Sequence, residues 1–342
     1  MKTSRSYTIP IIALAIALIC CFFANISLGS VAIPFSDVFA SLVGGEVTKP
    51  TWEFIIQEYR LPKALMAMIT GSGLAISGLL MQTLFRNPLA GPFVLGISSG
   101  ASLGVALFIL GGTAFGISST FAFGKWGLII SAATGSFLVF LMVLGVASRV
   151  RDTMALLIIG LMVGSLTSAV VSVLSYFSKA EELQQYIFWS FGSLGDVSWQ
   201  SIRILLYCFI AGMLLTIASI KPLNALLLGD TYAKTLGVKH SKSRIIIIIA
   251  TSILAGSITA FAGPIAFIGL AVPHLIRQVI STSNHRILIP AVILGGAILM
   301  LICDTIAQVP LSEYTLPINA VTALVGAPVV IWLLVRKKKL LF

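Results

Sequence analysis

Apolar stretches about as long as a membrane helix recur along the whole chain. A membrane-spanning helix needs about 20 mostly apolar residues, and the sequence contains ten windows of this kind. They lie near residues 8–28, 61–85, 93–111, 124–147, 153–174, 201–219, 245–263, 265–280, 287–307 and 317–335. Only 10% of the residues are charged, far below the roughly one quarter of soluble proteins. The pattern predicts an all-α membrane protein with one polytopic domain over residues 1–342.

The number of spans depends on the stretch between Arg244 and Arg277, which is either one long pass or two short ones. Gly263 and Pro264 favour two passes, because proline removes a backbone donor and interrupts a helix. A single pass would also place the basic cluster at residues 336–339 on the outer side, against the usual enrichment of Lys and Arg in the cytoplasm. Ten spans are therefore predicted, although the third window follows a proline-rich loop closely.

The charges sort sharply when the ten spans alternate sides from a cytoplasmic N-terminus. Sixteen of the 22 Lys and Arg and two of the 11 acidic residues then lie inside, which gives +14 inside and −3 outside. A pI near 9.7 would suggest nucleic acid for a soluble protein, but the positive-inside rule explains it here. Both termini are predicted to be cytoplasmic, with no nucleic-acid partner.

The first window has an alternative interpretation as a cleaved signal peptide, since Lys2 and Arg5 precede it. Its apolar run is long for a signal core, and no convincing small-x-small cleavage site follows. We therefore expect a retained helix. The four cysteines lie within or at the ends of windows, so neither a disulfide framework nor a metal site is implied.

The chain lacks the motifs that would power transport or catalysis. A phosphate-binding loop ends in Gly-Lys-Ser/Thr, whereas Gly124 and Lys125 are followed by Trp126. The connections are too short for a soluble catalytic domain. Ion-coupled carriers hold acids deep in the membrane, and the best candidate is Asp304, which is otherwise a carboxylate at a helix end near the headgroups. A transport subunit without its own ATPase is predicted; an ion-coupled secondary transporter is the alternative, and a membrane enzyme a weaker one.

Small residues four apart form stripes that pack helices closely or line a wet passage. One stripe consists of Gly160, Gly164, Ser168 and Ser172, and its residues leave both roles open. Others contain Ala67, Gly71 and Ala75, and Gly96, Gly100 and Gly104, where packing is favoured. The residues Arg86 to Pro92 predict a tight cytoplasmic turn, because two prolines prevent a continuous helix.

The cytoplasmic segment from Lys221 to Arg244 predicts short helices interrupted at Gly229 and Gly237. A solvated basic loop that contacts lipid headgroups is the alternative. Three consecutive leucines at residues 226–228 favour a buried contact. We therefore interpret the segment as a docking surface.

Several motifs, taken in order, resemble the FecCD-type permeases of ABC importers for iron siderophores, haem and cobalamin. They are Arg60-Leu61-Pro62-Lys63, Arg86-Asn87-Pro88-Leu89-Ala90, Gly96-Ile97-Ser98-Ser99-Gly100-Ala101, Phe188-Trp189 with Gly192-Ser193, Leu228-Gly229-Asp230 with Ala233 and Leu236-Gly237, Gly263-Pro264-Ile265-Ala266-Phe267-Ile268-Gly269-Leu270 with Pro273-His274 and Arg277, and Gly326-Ala327-Pro328. Each motif is weak alone, and the ordered set is specific.

The resemblance implies a homodimer of ten-helix subunits in the bacterial cytoplasmic membrane, each an inverted repeat of two five-helix halves. It further implies two ATPase subunits beneath, which hold ATP and magnesium, and a substrate-binding protein outside. This chain itself would bind no cofactor or metal. The expected cargo is an iron chelate or cobalamin, carried inward by alternating access.

The resemblance also implies roles for particular residues. It implies that Arg60, Lys63 and Gln308 contact the binding protein, with Gln308 in place of the family's usual basic residue. The residues Thr315 to Asn319 also depart from the family pattern. For Arg60 and Lys63, the alternative is that their long basic side chains anchor the second span at the membrane surface. Coupling to the ATPase falls to Leu228, Gly229, Asp230, Ala233, Leu236 and Gly237. A cytoplasmic gate falls to Asn87, Leu89, Thr153 and Met154, for which loop packing is the alternative.

Overall fold

The computed structural model of the chain describes residues 7–111, 119–150, 153–195, 197–229, 233, 235, 237 and 239–335. Every regular element within these ranges is helical. The longer helices are α1 (Thr8–Ser27), α2 (Phe35–Val43), α3 (Pro50–Phe54), α4 (Leu61–Phe85), α5 (Ile97–Ile109), α6 (Ser119–Arg149), α7 (Thr153–Phe177), α8 (Ala180–Ser190), α9 (Trp199–Ala218), α10 (Ile220–Leu226), α11 (His240–Ala262), α12 (Ile268–Val279), α13 (His285–Ala307) and α14 (Ile318–Val335). A π-helical turn, Ile55–Arg60, joins α3 to α4, and a 3₁₀ turn, Pro92–Leu95, precedes α5.

A helix lies in each of the ten predicted windows. Within the described part of the chain, seven helices are long and apolar enough to cross a membrane. The three other windows hold the shorter helices α5, α12 and α14. The all-helical membrane fold is thus confirmed, and the ten-pass topology stays a prediction.

The described chain separates into two compact units. The first unit draws on Met1–Ile76, Ser193–Leu206 and Ala266–Leu341, and the second on Ser77–Gly192 and Tyr207–Ile265. These units do not correspond to the first and second halves of the sequence. The inverted repeat and the single domain both stay predictions.

In the first unit, α13 packs against α1, α12 and α14. Its closest approach is to α4, where a Cβ atom added at Gly71 would collide with the backbone carbonyl of Gly296. The hydroxyl of Ser72 donates to the carbonyl of Ile293, 3.0 Å away. Small residues let the backbones of two membrane helices approach closely, so that van der Waals contacts and hydrogen bonds hold the helices together. The packing role predicted for Gly71 is therefore confirmed.

In the second unit, α5 packs along α6, and α11 packs against α6 as well. The contact depends on small residues, since a Cβ atom at Gly100 would lie 2.6 Å from the carbonyl oxygen of Gly135. The hydroxyl of Ser136 donates to the carbonyl of Ile97 over 3.1 Å. The stripe of Gly96, Gly100 and Gly104 therefore packs helices, as predicted.

The chain breaks between α11 and α12, as Gly263 and Pro264 predict. Gly263 has φ +73°, and Phe267, which immediately precedes α12, has φ +65°. Phenylalanine rarely adopts a positive φ, so neighbouring groups must hold it there. In the first unit, the backbone N–H of Ala266 donates to Oδ1 of Asn319 over 3.0 Å. Asn319 is one of the residues that depart from the family pattern, and it satisfies a backbone donor that the broken helix leaves free.

Candidate functional site

A buried carboxylate organises the end of the first unit that is predicted to face outward. Asp304 lies one turn before the end of α13, and 2% of its side chain is exposed. The ammonium of Lys63 lies 3.2 Å from Oδ1. Oδ2 accepts hydrogen bonds from the amides of Asn25 at 3.0 Å and Gln308 at 2.7 Å. Asp304, near the end of α13 as predicted, is therefore a buried acid with three side-chain partners in the first unit.

Arg60 ends the π-helical turn, and its guanidinium is committed to the backbone. It donates to the carbonyls of Ile26 at 2.7 Å, Ser27 at 3.0 Å and Val31 at 2.5 Å, and the residue is 9% exposed. Ile26 and Ser27 are the last two residues of α1 and Val31 lies shortly after it, and the last carbonyls of a helix have no partner within the helix. Arg60 thus caps the first span. Binding-protein docking by Arg60 stays a prediction, with most of its donors already occupied.

The structure brings the three predicted docking residues together. A Cβ atom at Gly29 would lie 2.7 Å from the Arg60 guanidinium and 3.3 Å from Oε1 of Gln308. Gln308 in turn shares Asp304 with Lys63. Glycine at position 29 leaves the space that Arg60 and Gln308 fill. The resemblance predicts Arg60, Lys63 and Gln308 as one set of docking residues. It does not predict that Asp304 lies at the centre of this set.

The loop after α13 is held in an unusual backbone conformation above this cluster. Val309 has φ +43° and Leu311 has φ +67°, and both residue types rarely adopt such values. The N–H of Leu311 donates to the carbonyl of Gly29, and that of Leu316 to Ala307, at 2.9 and 2.8 Å. Leu311 is 75% exposed. Sequence reasoning missed this strained apolar loop, because neither residue type signals a positive φ.

The predicted cytoplasmic gate lies in the second unit, where its turn is tied to α10. Arg86 has φ +47°, and its Nε donates to the carbonyl of Leu226 over 3.1 Å. Oδ1 of Asn87 accepts from the backbone N–H of Leu89 at 2.9 Å, which stabilises the turn. The tight turn is confirmed. The gating role stays a prediction, and Asn87 has the local packing role that was its alternative.

The other gate residues lie at the start of α7. Met154 is exposed, while Thr153 begins the helix and its side chain lies outside the described residues. The side chains of Leu89 and Met154 are both exposed. A gate built across a dimer requires exposed side chains, and the gate stays a prediction.

The predicted coupling segment begins where α10 ends. Gly229 has φ +104° and Gly237 has φ +77°, so both interrupt the helical path as expected. Leu228 is 61% exposed, whereas Ala233 is fully buried and its N–H donates to the carbonyl of Gly229 at 2.9 Å. Asp230 and Leu236 lie outside the described residues. Leu226 is buried within the chain and Leu228 is exposed, and the docking contact of the three leucines stays a prediction.

The polar stripe on α7 divides into two parts. A Cβ atom at Gly160 would collide with the carbonyl of Val94, and one at Gly164 would lie 3.3 Å from the Ser99 hydroxyl. Further along the stripe both serines are exposed, and the hydroxyl of Ser172 donates to the carbonyl of Ser168 at 2.9 Å. The first part packs against the turn before α5. A pathway lined by Ser168 and Ser172 stays a prediction.

The sequence matches the model of the FecCD transport family over residues 16–336. The match covers nearly the whole chain, including the cluster around Asp304, the turn at Arg86 and the coupling segment. The chain belongs to the FecCD transport family. The resemblance carried by the ordered motifs is thereby confirmed.

Curated relatives in this family are vitamin B12 import system permease proteins. The BtuC proteins of Salmonella paratyphi A and Salmonella typhi are each 37% identical to this chain over 287 residues, which cover 84% of this chain and 85% of theirs. Such identity over most of both chains extends well beyond the individual motifs.

Solved structures share the fold. A metal-chelate type ABC transporter in an inward-facing conformation superposes with a TM-score of 0.84 and 30% identity, covering 96% of this chain and 100% of that one. PsaBC from Streptococcus pneumoniae, solved in complex with a Fab, superposes with a TM-score of 0.51 and 14% identity, over 88% and 95% of the two chains. The second similarity concerns the fold alone.

Proposed function

We propose that this chain is the membrane-spanning subunit of an ATP-driven importer that carries a metal chelate or cobalamin into the cytoplasm. The observation that carries the proposal is the FecCD match across residues 16–336, together with relatives that are B12 import permeases. Siderophore and haem iron remain candidate cargoes beside cobalamin. The chain makes and breaks no bonds in this scheme.

The proposed complex contains two copies of this chain, two ATPase subunits and an external binding protein. ATP and magnesium belong to the ATPase, and this chain holds neither a cofactor nor a metal. We place the complex in the bacterial cytoplasmic membrane with both termini inside. The ten-span topology, the inverted repeat and the alternating access are parts of this proposal.

The ATPase contact is assigned to the coupling segment, residues 228–237. The exposed Leu228 side chain beside the left-handed Gly229 suits insertion into a cleft of a partner. Arg86 joins the end of α10 to the cytoplasmic turn through the carbonyl of Leu226. A movement of the coupling segment would therefore reach Asn87 and Leu89 directly. This connection supports a lever between the ATPase and the proposed gate.

The coupling assignment is tested by changing Leu228 to Asp in the complex reconstituted with its ATPase. A charge at the centre of an apolar contact should abolish transport and reduce the association of the ATPase, because the carboxylate would lose its water. Ser281→Asp, which places the same carboxylate in the exposed loop between α12 and α13 and outside the docking surface, is the matched control and should leave both unchanged. Normal transport by the Leu228→Asp protein would contradict the assignment.

The cargo is tested by offering cyanocobalamin, a ferric hydroxamate siderophore and haem separately to proteoliposomes that contain the whole complex. We expect uptake of one of these classes to depend on the matching binding protein. No uptake of any of them by a complex with an active ATPase would contradict the proposed substrate class. The gate is tested with cysteine at Leu89 in both copies, which should cross-link in at least one nucleotide state and block uptake.

A further inference from the structure

Helix α2 exposes three large apolar residues along one side and buries two polar residues on the other. Phe35, Phe39 and Val43 follow one another at intervals of four, so they share one side of the helix, and all three are exposed. Asp37 and Ser41, on the other side, are buried, and so is Val38. A helix that packs on a protein core normally turns its large apolar residues to the core and polar residues to water, so three exposed apolar residues along one side are unusual.

The inward polar side is fixed by hydrogen bonds, so α2 cannot roll to hide its aromatic residues. Oδ1 of Asp37 accepts from the backbone N–H of Thr48 at 2.7 Å. The Gln57 amide donates to the backbone carbonyl of Ser41 at 2.9 Å and to its hydroxyl at 3.3 Å. Both partners belong to the outer segment that leads to Arg60. The outward direction of the apolar side is therefore built into the fold.

The apolar side of α2 lies at the depth of the last turn of the first span. The ring of Phe23 in α1 is 4.9 Å from that of Phe35 and 6.5 Å from that of Phe39, between ring centroids. Phe23 precedes the end of α1 at Ser27 by four residues, which is roughly 6 Å along a helix axis. The α2 rings thus reach below the outer end of a helix long enough to span the hydrocarbon core.

The apolar side of α2 also continues the outward stripe of α1. Exposed isoleucines occur along α1 at alternating intervals of three and four, and the next step in that series is Phe23. They are Ile9, Ile12, Ile16 and Ile19. Alternating steps of three and four keep residues on one side of a helix. A span with such a stripe and few buried residues faces lipid along that side, so the surface that reaches Phe35 and Phe39 is a lipid-facing one.

We propose that α2 lies in the membrane–water interface on the outer side of the bilayer, with Phe35, Phe39 and Val43 inserted at the boundary between headgroups and acyl chains. The occupant of this apolar side is the lipid bilayer. Interfacial helices elsewhere bury an apolar side about 5–10 Å into this boundary. Because Thr48 and Gln57 are tied to α2, the insertion would hold the outer segment, and with it Arg60, at a fixed height over the membrane. The proposal is independent of the transported substrate and of the ATPase.

The test places a nitroxide label on the helix in the full-length chain. The four native cysteines are changed to alanine, a single cysteine is introduced by Phe39→Cys, and the labelled protein is reconstituted in vesicles of phosphatidylcholine and phosphatidylglycerol. Collisions of the label with oxygen, which concentrates in lipid, are compared with collisions with a water-soluble nickel chelate. Ile16→Cys serves as the lipid-facing control and Glu46→Cys, in the exposed loop after α2, as the water-facing control.

We expect the label at position 39 to have a ratio of oxygen to nickel collisions several-fold above that at position 46 and nearer to that at position 16. A ratio like that at position 46 would overturn the proposal, because the side would then face water. Low accessibility to both reagents with an immobile label would also overturn it, since a protein surface, such as a second copy of the chain, would then cover α2. Val43→Cys provides an independent position on the same side, so failure of the Phe39→Cys protein to fold does not prevent the measurement.

Discussion

The ion pair at the outer end of α13 offers a direct measure of how the first unit is held together. Asp304→Asn removes the charge while keeping the shape and one acceptor oxygen. Lys63→Met removes the ammonium and keeps most of the apolar stem. The double variant removes both charges. We expect each single change to destabilise the fold, and the double change to cost less than the sum of the two.

The expected sizes follow from burial. Breaking a buried ion pair by removing one partner costs about 3–5 kcal/mol, but Lys63 is 24% exposed and can turn toward water. Asp304→Asn should therefore cost about 2 kcal/mol of stability, because a single acceptor oxygen then has to serve Lys63, Asn25 and Gln308. Lys63→Met should cost about 2 kcal/mol, because it leaves a buried carboxylate with amide partners only. The coupling between the two sites should be about 1–2 kcal/mol.

The assay is the free energy of unfolding in lipid bicelles, measured by steric trapping for the four proteins of the cycle. Glu313→Gln is the matched control, since it removes an exposed carboxylate from the following loop and should change stability by less than about 0.5 kcal/mol. If the two single effects simply add, Lys63 and Asp304 do not interact. The reasoning that gives Lys63 an internal partner would then be refuted.

Three further outcomes are expected. Gly71→Ala should lower the free energy of unfolding by about 1–3 kcal/mol, because its methyl group meets a backbone carbonyl of α13. Gly145→Ala, with open space around the added methyl group, should be neutral or stabilising. Equal effects of the two changes in the same unfolding assay would contradict the close approach of α4 and α13. The hydrogen bond from the backbone N–H of Thr48 holds the pKa of Asp37 below its usual value. The charged carboxylate therefore stabilises the fold at neutral pH, and this contribution is lost as the pH falls through the folded-state pKa. Asp37→Asn should make the loss of stability in acid less steep, and an unchanged acid profile would contradict the role of Asp37. Asn319→Ala should cost about 1–3 kcal/mol by leaving a backbone N–H without its acceptor, and a protein as stable as the parent would show that the bond is dispensable.

The helices were predictable because the bilayer imposes a simple rule of length and apolarity. The window at residues 61–85 coincides with α4, and the break at Gly263 and Pro264 separates α11 from α12. Local residue chemistry also predicts the breaks at Gly229 and Gly237, where the structure has positive φ values. The outer helix α2 was not predicted, because its apolar side faces away from the chain and its nine residues are too few for a span.

The partners inside the outer cluster could not be predicted from the sequence. Lys63 and Asp304 are far apart along the chain, and only the packing of α4 and α13 brings them within 3.2 Å. The resemblance assigns Arg60 to docking, which stays a prediction, but it could not show that the guanidinium donates to carbonyls at the end of α1. Long-range contacts of this kind leave no periodic signal, whereas helix breaks and small-residue stripes do.

The most direct test of the central claim asks what energy source drives transport. Proteoliposomes containing this chain, its ATPase and the binding protein are supplied with cargo, and uptake is measured with ATP, without ATP, and with a proton or sodium gradient alone. The account predicts uptake only when ATP and the ATPase are both present. Uptake driven by an ion gradient through this chain alone would contradict it and would identify a secondary transporter.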